Sequence, residues 1–138
     1  MKKILILLMA VLAICSCRDV DYVFPADLVY INQTSHTIRL KIEAQFFPLE
    51  AVIEPYGSYV GNYGESWGAP GFTVGDVAEI TFDNVYSIEH RYSDNTVYHN
   101  VCSLASYESR PMKKTKWGKI YTFHFTEEDY NYAVSNQE

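Results

Sequence analysis

The segment 37–46 constrains this chain more than any other. Ile38, Leu40, Ile42, Ala44 and Phe46 alternate with Arg39, Lys41, Glu43 and Gln45. Successive side chains of a strand point to opposite faces, so a period of two over ten residues specifies a strand with one dry face and one wet face. A dry strand face needs a second apolar layer to cover it. Shorter apolar or alternating runs at 28–32, 49–53, 58–60, 77–82, 86–92, 96–99 and 119–125 read as further strands.

Turn signals separate these runs. Residues 32–35 form a turn, and the strands on either side of it are expected to pair as a hairpin. Glu54-Pro55-Tyr56-Gly57 is a second turn, with proline presetting φ and glycine tolerating positive φ. Parity decides the connection between 77–82 and 86–92. A two-residue turn would set Ile80 against Ser87, whereas a three-residue connection pairs Phe82 with Tyr86 and Ile80 with Ile88 and keeps one face apolar. The odd connection is preferred. Val85 dislikes the left-handed conformation that such loops often use, so a nearby bulge is expected. Residues 100–118 read as irregular. Thr126 caps a helix whose first turn holds Glu127, Glu128 and Asp129, where the helix dipole favours acids. Tyr130, Ala133 and Val134 share its inner face. The expected architecture is all-β: a β-sandwich of about seven or eight strands, immunoglobulin-like or transthyretin-like, with one short C-terminal helix.

The N-terminus carries a different pattern. Lys2 and Lys3 precede an apolar run over 4–14, and a small Ser16 precedes Cys17. That is the layout of a secretory signal. The run is shorter than the ~20 residues that a spanning helix needs. Ile14-Cys15-Ser16-Cys17 resembles a bacterial lipobox, with Cys17 as the site of lipid attachment. The chain then divides into a signal peptide (1–16), a lipidated tether (17–26) and a β-sandwich domain with its helix (27–138). Two of the eleven basic residues and none of the seventeen acidic ones precede Cys17, so residues 17–138 carry a net charge of −8. Such a balance argues against nucleic acid as a partner. Cys102 is left without an intrachain partner, which excludes a disulfide framework; its simplest reading is a small buried residue. Asn32-Gln33-Thr34 matches the eukaryotic glycosylation sequon.

Three stretches together resemble small lipoproteins of Bacteroidetes-type bacteria. They are Cys15-Ser16-Cys17, Ser106-Tyr107-Glu108 before a basic stretch, and the run from Tyr121 to Tyr130. The resemblance implies a lipid-anchored β-sandwich over most of the chain after Cys17, held to the outer membrane. Asp19 and Asp21 are similar to surface-export signals of that phylum, although Arg18 comes first and Val20 interrupts them. The resemblance implies address and fold and carries no mechanism.

Chemistry is sparsely signalled. His36, His90, His99 and His124 form no H-E-x-x-H motif, no C-x-x-C exists, and neither a G-x-S-x-G elbow nor a phosphate-binding loop is present. By alternation His124 lies on the face of Thr122, opposite Tyr121 and Phe123. No cofactor or metal is expected. The glycine-rich segment 57–75 offers the best binding candidates, Tyr63 and Trp67, whose faces suit a sugar ring or an envelope protein partner. The alternative is that Trp67 plugs the sandwich, with Tyr63 nearer the rim. Arg110, Lys113, Lys114, Lys116 and Lys119 surround Trp117. They suit lipid phosphates or an acidic partner, or else form a solvated loop partly balanced by Glu127, Glu128 and Asp129. The expected function is a lipid-anchored envelope protein with a non-enzymatic binding or structural role, joined to the membrane by acyl chains. The rivals are a carbohydrate-binding accessory lipoprotein and, less favoured, a hydrolase or metal enzyme.

Overall fold

Ile38, Leu40 and Ile42 are buried while Arg39, Lys41 and Glu43 are exposed, so the alternating segment has the two faces its sequence prescribes. The computed structural model describes residues 25–45, 48–63, 73–94 and 99–137. Its strands in chain order are β1 (Ala26–Asn32), β2 (Ile38–Glu43), β3 (Leu49–Ile53), β4 (Ser58–Tyr63), β5 (Val77–Phe82), β6 (Tyr86–Arg91), β7 (Glu108–Pro111) and β8 (Lys119–Phe125). A single 3-10 turn (Leu104–Ser106) precedes β7, and helix α1 (Glu127–Ser135) follows β8.

The strands form two four-stranded sheets, ordered β4-β1-β8-β7 and β3-β2-β5-β6. The second is antiparallel throughout, and one of its rows runs Ala51, Leu40, Ile80, Ile88 across all four strands. The first is mixed, because β1 runs parallel to β8. Leu28, Tyr30, Phe123 and Phe125 of the mixed sheet meet Ile38, Leu40, Ile42, Ile53, Ile80 and Phe82 of the other in one core. Each such side chain contributes roughly 1.5–3 kcal/mol on burial. The all-β sandwich with one C-terminal helix is therefore the observed fold. The expected strand 96–99 falls mostly outside the described residues, and His99, which is described, lies in a turn.

Several local expectations need correction. β1 and β2 do not form a hairpin; they lie in different sheets. The turn after β1 carries the chain across the sandwich because the buried Asn32 carboxamide binds groups outside its own strand. Its Nδ2 donates to the carbonyls of His36 (2.7 Å), Ile53 (3.2 Å) and Glu54 (3.0 Å), and its Oδ1 accepts from Thr34 N and Thr34 Oγ1. A buried, fully bonded Asn32 is not a modification site. In the turn after β3, Tyr56 takes the positive φ (57°), not Gly57. β2 ends at Glu43, where Asp76 N takes the Glu43 carbonyl; Ala44 is half-buried beyond it and Phe46 lies outside the described residues.

Parity predicted the β5–β6 register correctly: Phe82 faces Tyr86 and Ile80 faces Ile88. The expected bulge is absent from this ladder, which is continuous from Val77–Arg91 to Phe82–Tyr86. Asp83 (φ 50°) and Asn84 (φ 57°) take the left-handed positions, types that tolerate them, and Val85 is spared. The stretch 100–118 is not wholly irregular, since β7 lies within it. All four β7 residues are exposed at the sheet edge, so no alternation marks the strand, and pairing with β8 defines it.

Helix α1 starts as its sequence indicates. Asp129 Oδ2 accepts from Thr126 N (2.7 Å) and Thr126 Oγ1 (3.2 Å). Ala133 is buried, and Tyr130 sets its ring edge-on to Phe82 and Tyr86. Gln137 Nε2 donates to the Ser87 carbonyl, which ties the helix end to β6.

The two faces of β2 predict opposite sensitivities. Leu40→Ala or Ile42→Ala is expected to cost roughly 2–5 kcal/mol, and Lys41→Ala less than about 0.5 kcal/mol. Urea melts of the three variants check this, and equal losses at 41 and 42 would contradict the register.

Candidate functional site

The sandwich has two poles, set by the parallel pair. β1 and β8 both begin at one end, where Ala26 pairs with Lys119, and both finish at the other, where Asn32 pairs with Phe125. Seven residues at about 3.3 Å each separate the poles by ~20 Å. Most of the titratable side chains named from sequence fall at one pole or the other.

Helix α1 gathers histidines and acids at the Asn32 pole. The His36 ring stacks on Tyr130 at 3.7 Å, and its Nδ1 lies 2.6 Å from Asp83 Oδ2. Asp83 also accepts from Thr37 N, and Glu127 accepts from Ser35 N. The hydrogen bond to His36, then that to Thr37, holds the Asp83 carboxyl below its usual range. His99 Nδ1 lies 2.8 Å from Asp129 Oδ1, and the His99 ring stacks on Phe123 at 4.2 Å. An imidazole oriented by a buried carboxylate is half of a nucleophile-activating arrangement. Among the described residues no hydroxyl or thiol bonds His99, and Thr126 Oγ1 is spent on Asp129. These contacts fasten α1 and its neighbouring turns to the sandwich.

His90 and Cys102 are buried together. His90 Nδ1 accepts from Val101 N, and Cys102 Sγ lies 3.4 Å from the His90 carbonyl. Burial holds His90 below its ordinary imidazole range, and burial together with the Asp76 charge pushes the Cys102 thiol up to about 11. A thiol that stays protonated at neutral pH is a poor nucleophile. Asn100 organises this loop much as Asn32 organises the first crossover. Its Nδ2 donates to the Arg91 and Asp94 carbonyls and its Oδ1 accepts from Cys102 N. His124 alternates with the buried Phe123 and Phe125 and is itself half-buried; both its ring nitrogens are buried without a hydrogen bond, and Nε2 lies 3.6 Å from Glu108 Oε2. Among the described residues no group of three His, Cys, Asp or Glu could hold a metal ion.

The Pro25 pole carries the sequence-predicted binding residues. Tyr63 pairs with Ala26 there by its backbone, as the last residue of β4. Trp67 and Cys17 lie outside the described residues. The basic segment connects β7 to β8 at this pole. Met112 N bonds the Gly118 carbonyl across its base and Lys119 N bonds the Pro25 carbonyl. Trp117 is 46% exposed, with Lys116 Nζ 5.0 Å from its ring centroid. The expected neutralisation by Glu127, Glu128 and Asp129 does not occur, because those residues start α1 at the other end of β8. Among the described residues none of Arg110, Lys113, Lys114, Lys116 and Lys119 makes an ion pair with an acid. Sequence reasoning missed the His36–Tyr130 stack and the His99–Asp129 pair, which join residues 94 and 30 positions apart; the helix-start signal located Asp129 and Tyr130 but not their partners.

Two measurements follow from the buried pair. A folded-state pKa below the unfolded value means that the unfolded chain takes the proton first on acidification. The stability that neutral His90 confers is therefore complete above about pH 6.5 and is lost as pH falls towards its depressed folded value. His90→Gln, which keeps an acceptor for Val101 N, should flatten the fall in melting temperature between about pH 6.5 and pH 5; slopes equal to wild type would contradict this. Cys102 should react slowly with a thiol reagent in the native protein and quickly in urea.

Comparison of the chain with family models, with curated proteins and with solved structures finds no match.

Proposed function

We propose that this chain is a lipid-anchored protein of the bacterial cell envelope, attached through acyl chains on Cys17, whose sandwich serves a non-enzymatic binding or structural role. The observation that carries this reading is the order of Lys2 and Lys3, the apolar run 4–14, and Ser16 before Cys17. The outer membrane is the proposed address, on the resemblance to Bacteroidetes-type lipoproteins.

The fold supports the reading in two ways. The first strand begins nine residues after Cys17 and enters the middle of a sheet, so an anchor there would hold the domain on a short leash. Eight residues between Cys17 and Ala26 reach at most ~3.6 Å each when extended. His36 and His99, through their carboxylate partners, serve helix docking, and His90, through its backbone partner, serves core packing, which suits a scaffold better than a reaction centre. No helix among the described residues is long and apolar enough to cross a membrane.

Cys17→Ala should abolish acylation in a bacterial host and release the protein from the membrane pellet. A single acyl chain binds membranes only marginally, at about 0.8 kcal/mol per buried methylene, so the wild-type N-terminus should carry more than one. Mass spectrometry of the N-terminal peptide is the check, and an unmodified Cys17 in wild type would refute the anchor.

A further inference from the structure

We propose that the β7–β8 loop, with the exposed Trp117 beside its base and Arg110, Lys113, Lys114, Lys116 and Lys119 around it, is a docking surface for the phosphate headgroups of the membrane that holds the protein. This rests on the proposed anchoring through Cys17. It adds an orientation: the Pro25 pole faces the lipid, and helix α1 points away.

Charge supports it first. Residues 110–119 contain five basic and no acidic side chains, whereas the rest of the chain after Cys17 contains four basic and all seventeen acidic ones. The basic patch is thus a local feature of an acidic protein. All five side chains are exposed, and among the described residues none is neutralised by an ion pair. An anionic lipid surface repels the body of this domain and attracts this loop alone. The attraction decays within about 8–10 Å at physiological salt, so it acts only if the loop is held close.

Geometry holds it close. Pro25 is the residue next to β1, and Lys119 N bonds its carbonyl at 3.0 Å. Gly118 packs so tightly that a Cβ there would come within 3.0 Å of Pro25 Cγ and 2.7 Å of Met112 Sδ. The loop therefore moves with the point where the tether joins the domain. From Cys17 to Pro25 the chain spans at most about 29 Å, so an acylated Cys17 keeps the loop near the bilayer.

Chemistry fits the occupant. Indole rings favour the membrane–water interface, where one end is apolar and the other wet. Lysines beside such a ring pair with lipid phosphates, each worth roughly fivefold in surface affinity. Trp117 and Lys116, stacked together on an exposed loop, present both at once.

The test uses the full chain with Trp67→Phe, which leaves Trp117 as the sole tryptophan. The membrane-extracted protein is placed in vesicles of phosphatidylethanolamine and phosphatidylglycerol whose acyl chains are brominated near the headgroup. Trp117 emission should be quenched there and far less in phosphatidylcholine. The triple variant Lys113→Glu, Lys114→Glu, Lys116→Glu, its fold checked by circular dichroism, should lose the quenching, and high salt should relieve it in the parent protein. Absence of quenching in anionic vesicles, or equal quenching in the triple variant, overturns the proposal; an acidic protein partner for the loop would give the first result. The acylation state of Cys17 is read separately by mass. Quenching without acylation supports the surface and refutes the anchor, while acylation without quenching does the reverse.

Discussion

Five hydrogen bonds from the Asn32 carboxamide hold the turn between the two sheets. Asn32 ends β1 in one sheet, and its amide group reaches the His36 carbonyl before β2 and the Ile53 and Glu54 carbonyls at the end of β3. The chain leaves the first sheet at Asn32 and returns to it after Glu54, so one side chain binds both crossings. Buried carbonyls that lose such a donor cost about 1–3 kcal/mol each. Oδ1, by accepting from Thr34 N and Thr34 Oγ1, bends the backbone away from the hairpin path that the same turn would otherwise allow. The sandwich, rather than a single wide sheet, depends on this group.

The device is used twice. Asn100 binds the carbonyls of Arg91 and Asp94 and the amide of Cys102 as the chain leaves β6 for the other sheet. Tyr107 then closes that crossing by donating to the Val101 carbonyl while its ring packs edge-on against Tyr30. Both crossings are polar knots inside an apolar sandwich, and each asparagine is hydrogen-bonded through both its oxygen and its nitrogen. The same economy governs α1, a helix too short to persist alone in water. His36 and His99 grip its first turns, one by stacking on Tyr130 and the other through Asp129. The helix is a dependent of the sandwich, and the histidines are the means.

Which of these features sequence reveals follows from their range. Strand β2 was legible because alternation is local, and the β5–β6 register because parity is. Thr126 and Asp129 marked the helix start because a cap spans three residues. The β1–β2 misreading has the opposite cause. A turn signal at 32–35 says that the chain reverses and does not say into which sheet, and the deciding bonds go to carbonyls about twenty residues away. β7 escaped notice because Glu108, Ser109, Arg110 and Pro111 are all exposed and no pattern of burial shapes them. The assignment of Glu127 to Asp129 as counter-charges for the lysines failed through a rigid element: β8 holds the two groups a full strand apart. Of the candidate binding residues, Tyr63 is placed only by its pairing with Ala26, and Trp67 and Cys17 fall outside the described residues.

The parallel pairing of β1 with β8 has the widest consequence. Neighbouring parallel strands need a long crossover, and here the crossover is most of the domain. Its result is that the first strand and the last start from the same pole. The basic loop that precedes β8 is thereby set beside Pro25, where the chain arrives, and the acids of α1 are sent to the far end. Had β8 run antiparallel to β1, the five basic side chains would stand at the Asn32 pole and the acidic first turn of α1 beside Pro25. The topology separates these charges along the strand axis and leaves the positive end where the N-terminal segment joins the domain.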